Sequence, residues 1–148
     1  MHLMDNISYL WNAKMNLTKF YNFSNIGDIR GSLVSIDSSS GIPFEIKRVY
    51  FIHDTKPNIS RGKHAHKKLH QVAFCISGSC IMSLDDGRHK EEVILNSPNA
   101  GIDIPPMLWH EMYNFTNDCI LLVLANDYYD ENDYIRDYEE FKKMIGVS

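Results

Sequence analysis

Three histidines, His64, His66 and His70, fall within seven positions of the stretch RGKHAHKKLHQV (61–72), in a chain that has seven histidines in all. An imidazole titrates near neutrality and also ligates metals, so the cluster could transfer protons, hold an ion, or form the partly solvated start of a strand. In a strand, residues two apart point the same way, which puts His64 and His66 on one face. If the strand continues, His70 shares that face and Gln71 points away. Paired imidazoles on one face suit a metal site, and equally a general base with a helper.

The elements that must carry these side chains read as short strands separated by turn signals. IKRVYFIH (46–53) precedes a loop with Pro57 and Gly62. QVAFCIS (71–77) and CIMSLDD (80–86) meet across Gly78, which predicts a tight hairpin. Asp86-Gly87 predicts a two-residue turn into RHKEEVIL (88–95), because Asp-Gly tolerates positive φ. GIDIPP, HEMYNFT and CILLVLAN are further strands, the last two joined at Asn117-Asp118. Many short strands at this spacing predict a sandwich or barrel. Near the C-terminus, Tyr134, Tyr138, Phe141 and Ile145 recur at helical spacing, which predicts a helix with Asp130 as its N-cap, packed on the barrel and free of chemistry.

Composition bounds the function. The 148 residues fit one domain with a real core, 44% apolar and 23% charged. The formal charge of −4 and scattered cations argue against a nucleic-acid surface, whereas a single phosphorylated ligand needs only two or three cations. Cys75, Cys80 and Cys119 each lie in an apolar or β-branched stretch. An odd count without CxxC spacing points to buried, inert thiols in a reducing compartment. The N-terminal stretch lacks a basic region followed by an apolar run, and no stretch approaches a membrane span, so a cytoplasmic protein is expected.

Two spaced blocks narrow the reading. His64, His66, Gln71 and Gly78 keep the spacing HxH-x4-Q-x6-G, and Pro105, His110 and Asn114 keep PxxxxH-x3-N. Together they resemble the two motifs of the cupins, small jelly-roll β-barrels. Metal-binding cupins supply two histidines and a glutamate from the first block and a histidine from the second. Here Gln71 stands at the glutamate position, Asn58 at the glycine that opens the first block, and Met107 at a glycine of the second. Without the one anionic ligand, neither a metal nor any other cofactor is expected.

The longer run IKRVYFIHDTK…RGKHAHKKLHQV…PPMLWHEMYNF…LVLANDYYDENDYIRDYEEFKK resembles the sugar 3,4-ketoisomerases that act on dTDP-4-keto-6-deoxyglucose, over about residues 23–145. The resemblance implies an all-β cupin-type jelly-roll barrel with a C-terminal helix (23–148) behind an N-terminal extension (1–22). It also implies a homodimer that exchanges an N-terminal strand, and a dTDP-linked keto-deoxysugar as the substrate. Its product would enter deoxyaminosugar and glycan biosynthesis.

Moving a ketone from C4 to C3 needs a base near neutral pH and a donor for the negative charge on oxygen. The resemblance assigns that work to His64, His66 and Tyr50. Tyr50 could instead be a core aromatic, and Phe51 beside it is expected to face the core. Arg61, Arg48 and Arg30 are the candidates for the diphosphate, since a guanidinium fork matches phosphate oxygens. His110, Trp109 and Gln71 are expected to line or support the pocket, with His110 and Arg30 steering the product toward dTDP-3-keto-6-deoxygalactose. Two other readings stay open. One is a sugar-nucleotide 3,5-epimerase, disfavoured because RGKHAHK offers no acid beside its histidines; the other is a non-catalytic sugar-binding cupin.

Overall fold

A computed structural model describes residues 17–148. Twelve strands follow one another: β1 (Phe20–Asn22), β2 (Asn25–Asp28), β3 (Gly31–Val34), β4 (Arg48–Ile52), β5 (Arg61–His66), β6 (Gln71–Ser77), β7 (Cys80–Asp85), β8 (Lys90–Leu95), β9 (Ala100–Ile104), β10 (Trp109–Tyr113), β11 (Ile120–Ala125) and β12 (Tyr134–Ile135). A 3₁₀ turn (Glu131–Asp133) precedes β12, and α1 (Tyr138–Met144), the one α-helix among the described residues, follows it. The strands form two five-stranded antiparallel sheets, β1-β9-β6-β11-β4 and β12-β5-β10-β7-β8, with β2-β3 as a separate hairpin. This is the expected cupin-type jelly roll with a C-terminal helix.

The main core lies between the two sheets. β7 sends Cys80, Met82 and Leu84 inward, where they meet Ala73, Cys75, Leu121 and Val123 of the facing sheet. β6 and β11 do not alternate, because both of their faces are covered. Their outer residues Val72, Phe74 and Leu124 pack under Tyr21, Phe23 and Ile42. That double burial explains why QVAFC and LLVLA read as near-continuous apolar runs. Trp109, Ala65, Ile135 and Phe141 form a third cluster beneath α1.

Several local expectations are corrected. Gly78 does not close a hairpin, since β6 and β7 belong to different sheets. It sits at the corner where the chain crosses between them, with φ +60, and a Cβ there would lie 2.3 Å from Thr116 Oγ1. The Asp86-Gly87 turn does join paired strands, but Asp85 pairs with Lys90, so residues 86–89 form a four-residue connection. The helix starts at Tyr138, capped by the Asp137 side chain on the Glu140 N–H, while Asp130 caps the 3₁₀ turn instead. Tyr134 belongs to β12, not to the helical stripe. Phe51 is 60% exposed on the outer face of its sheet, and Tyr50 is the residue that packs against the core.

β1 lies within residues 1–22 and pairs with β9 at the sheet edge, Phe20 opposite Ile102. The rest of that segment, residues 1–16, is outside the described residues. No described helix is long and apolar enough to cross a membrane.

Candidate active site

β5 brings two histidines to one face, as the period of two requires, and β10 supplies a third. His64 lies directly opposite His110 in the register of β5 and β10, and their ring centroids are 4.6 Å apart. His66 stands 4.9 Å from His64 and 5.9 Å from His110, centroid to centroid. One nitrogen from each of the three lies within 4.8 Å of the others.

This approach depends on an irregular backbone. Gly62 has φ +83, and a Cβ there would meet His110 O at 2.9 Å. Lys63 follows at φ +60, a costly conformation for a non-glycine residue, and is the extra residue of a β5 bulge: His64 pairs with His110, Gly62 with Glu111, and Lys63 is skipped. Strained backbone held in place by its surroundings is common where a site must be shaped. Gly62 is needed here for space as well as for its φ.

β12 adds a group that sequence periodicity hid. Tyr134 pairs with His66 across β12 and β5, so the two side chains share a face. Its ring lies 4.4 Å from His66 and 4.9 Å from His64, again between centroids. Just before it, Asp133 accepts the backbone N–H groups of Lys68 and Leu69 at 2.8 and 3.1 Å. Its other contact is with His66, whose Nδ1 lies 3.2 Å from Asp133 Oδ2, at ion-pair distance but outside hydrogen-bond alignment. A histidine–carboxylate pair therefore exists, assembled from residues 67 positions apart, and the lack of a neighbouring acid in RGKHAHK no longer argues against an epimerase.

His64 and His110 line a cavity of about 380 Å³ together with Arg48, Tyr50, Arg61, Tyr129 and Tyr134, among others, while His66 sits against His64 just outside the lining. Tyr50 donates a short hydrogen bond to Gln71 Oε1, and Gln71 itself is buried. Arg48 packs over the Tyr50 ring at 5.2 Å, and its Nε is buried without a hydrogen-bond partner, as is His64 Nδ1. Buried polar atoms are almost always paired, so unpaired ones clustered at a cavity mark where a ligand's polar atoms fit.

Burial sets the protonation states. His66 and His110 are each 3% exposed. Burial, reinforced by His64, holds His66 well below the usual imidazole value, although Asp133 pulls the other way. His110 is pushed down to about 3 by burial first and His64 second. His64 is lowered too, mainly by burial. Three neutral imidazoles therefore face one another at neutral pH. Burial raises Tyr50 above an ordinary phenol, with Tyr134 adding to the effect, so it remains a proton donor.

The structure gathers His64, His66, His110, Tyr50, Arg48, Arg61 and Gln71, and leaves three expected residues elsewhere. Trp109 is buried under α1, its ring 5.1 Å from Tyr138 and 5.6 Å from Phe141, so it supports β10 from behind and offers no stacking face. Arg30 sits at the tip of the β2-β3 hairpin, 87% exposed and paired with Asp28, away from this cavity. His70 falls after β5 has ended and bonds Asp103 at 2.8 Å, outside the cavity lining.

Residues 15–146 match the family described as "FdtA: WxcM-like, C-terminal". A TDP-4-oxo-6-deoxy-alpha-D-glucose-3,4-oxoisomerase from Aneurinibacillus thermoaerophilus is 56% identical over 128 residues, 86% of this chain and 92% of that protein. The crystal structure of a 3,4-ketoisomerase from Helicobacter canadensis superposes with a TM-score of 0.84 at 51% identity, covering 87% of this chain and 97% of that one. A histidine-to-asparagine variant of the 3,4-ketoisomerase QdtA from Thermoanaerobacterium thermosaccharolyticum, in complex with TDP-4-keto-6-deoxyglucose, gives 0.85 at 42% identity over 88% and 95%.

Proposed function

The chain belongs to the FdtA family of WxcM-like proteins, and from that membership we propose that it is a 3,4-ketoisomerase of dTDP-4-keto-6-deoxyglucose. The observation that carries the chemistry is the convergence of neutral His64, His66 and His110 with Tyr134 beside a cavity that Arg48 and Arg61 also line. Two of the relatives named above, the Aneurinibacillus enzyme and QdtA, act on or bind TDP-linked 4-keto-6-deoxy sugars.

The reaction is redox-neutral. A neutral imidazole of the His64–His66 pair takes the C3 proton, giving an enediolate shared by O3 and O4. The C3 hydroxyl loses its proton, O4 gains one, and protonation at C4 completes the 3-keto sugar. Asp133 orients His66 and stabilises the imidazolium that forms in the first step. Tyr50, a protonated phenol held by Gln71, is the donor for charge on oxygen. Arg48 and Arg61 hold the diphosphate.

Donor chemistry supports a metal-free reaction. The one carboxylate near the imidazoles, Asp133, lies against His66 Nδ1 and accepts the Lys68 and Leu69 N–H groups, outside the convergent ligand set, and Gln71, at the expected position, already accepts from Tyr50. We further place the protein in the cytoplasm as a homodimer with its N-terminal strand exchanged. The β2-β3 hairpin is exposed along its length, and Val49, Phe51 and Ile76 leave an apolar outer sheet face open. Within its own chain Arg30 has no route to the cavity, so its role requires a partner to present that hairpin. The proposed product is dTDP-3-keto-6-deoxygalactose; His110, beside His64 on the same sheet face, shapes the wall that sets the C4 configuration, its Nδ1–H held by the Leu108 carbonyl.

One incubation tests the activity. Chelated, dialysed protein in heavy water should turn dTDP-4-keto-6-deoxyglucose into a 3-keto product carrying deuterium at C4. Exchange at C3 and C5 would mean an epimerase, no exchange a binding protein, and activity restored only by added metal a metal-dependent cupin. In ordinary water, a small H4–H5 coupling in the product supports the galacto sugar, and a large diaxial coupling overturns it.

A further inference from the structure

A second convergent cluster lies in the barrel interior, outside the histidine site. Cys75 Sγ is 3.7 Å from Cys80 Sγ and 3.7 Å from Cys119 Sγ, and all three sulfurs lie within 4.8 Å of one another. Each residue is 1% exposed. They come from three elements. Cys75 is on β6, Cys80 opens β7 in the facing sheet, and Cys119 immediately precedes β11. The cluster therefore bridges the two sheets at the corner where the chain crosses at Gly78.

That corner is the far end of the barrel from the histidines. Gln71, which reaches Tyr50, is four residues before Cys75 on β6, about 13 Å at the usual strand rise. We propose that Cys75, Cys80 and Cys119 form a binding site for a soft divalent d¹⁰ ion, of the zinc or cadmium type, independent of the catalytic cavity.

Geometry supports this first. A zinc–thiolate bond of about 2.3 Å sets the edge of a tetrahedral site at about 3.8 Å. Two of the three sulfur separations already stand at 3.7 Å. Ligand type narrows the ion, because thiolates select zinc and other soft ions over magnesium, calcium or manganese. Charge narrows it again. Three thiolates around a monovalent ion keep two net negative charges in an apolar core lined by Met82, Leu121 and Val123, whereas a divalent ion leaves only one.

Burial and the Cys75 sulfur push Cys119 up to about 12, and the contact with Cys80 raises Cys75 further, so both thiols stay protonated without an ion. Loading therefore releases a proton from each cysteine and weakens as pH falls. A filled site would clip β6, β7 and β11 together where the sheets meet, and would leave a fourth ligand position open.

Cadmium titration of the chelated full-length protein tests this. One equivalent per chain should raise an ultraviolet thiolate-to-metal charge-transfer band, release about three protons in weak buffer, and raise Tm. Cys80→Ser and Cys119→Ser should each lose the band, while cadmium on the histidines gives no such band in any variant. A native wild-type protein without the band, when the same protein in denaturant shows it, overturns the proposal. So does a band that survives in both serine variants.

Discussion

His66 is the side chain on which the proposed chemistry rests most. It is buried, faces two other imidazoles, and has Asp133 within 3.2 Å. Burial dominates, and the ring is lowered to about 4. As the proposed base, it stays neutral well below the usual imidazole range. We predict that kcat/KM is flat as pH falls from 7.5 through about 6.5 and breaks only toward 4. A break at 6.5 would place the base on a solvated histidine. The same shift links to stability. The unfolded chain takes up protons near 6.5 and the folded chain does not, so the stability from neutral His66 and His110 is present above 6.5 and lost as pH falls toward 4. Urea midpoints measured between pH 7.5 and 5 should therefore decline. The HxH pair and His110 were legible in the sequence because period two and motif spacing depend on few residues. Tyr134 and Asp133 were not, because β12 has two residues and is too short to show any period.

β5 is the element that organises the cavity. Its first residue, Arg61, reaches the lining, Gly62 and Lys63 bend the strand, and its last residues present the histidines. Arg61→Ala should raise KM strongly and weaken dTDP binding by calorimetry, with kcat changed little. Unchanged dTDP affinity would make Arg61 structural and pass its role to Arg48. The strands were readable from apolar runs and turn residues, yet their pairing was not. Gly78 has the same signature at a hairpin and at a corner between sheets, and only the partners of β6 and β7 distinguish the two. Phe51 misled for a related reason. In a sandwich whose outer sheet face is itself apolar, an aromatic gains nothing decisive by turning inward, and Tyr50 has Gln71 waiting on the inner side.

At the scale of the whole molecule, the fold gathers His64, His66 and His110 at one end of a barrel and leaves an apolar sheet face and an exposed hairpin outside it. Sedimentation equilibrium should give about twice 17.1 kDa, and a Phe51→Asp substitution on the open face should shift the mass toward one chain. A wild-type monomer would remove the partner route for Arg30. The central claim is that the reaction runs by histidine proton transfer, and its most direct measurement is the rate of deuterium entry at C4 in heavy water for wild type and His66→Asn. Asparagine keeps a hydrogen-bonding group but cannot titrate. The account predicts that the variant incorporates deuterium about 10²–10⁴ times more slowly, with nucleotide affinity little changed. Deuterium entering at the wild-type rate in His66→Asn would contradict it.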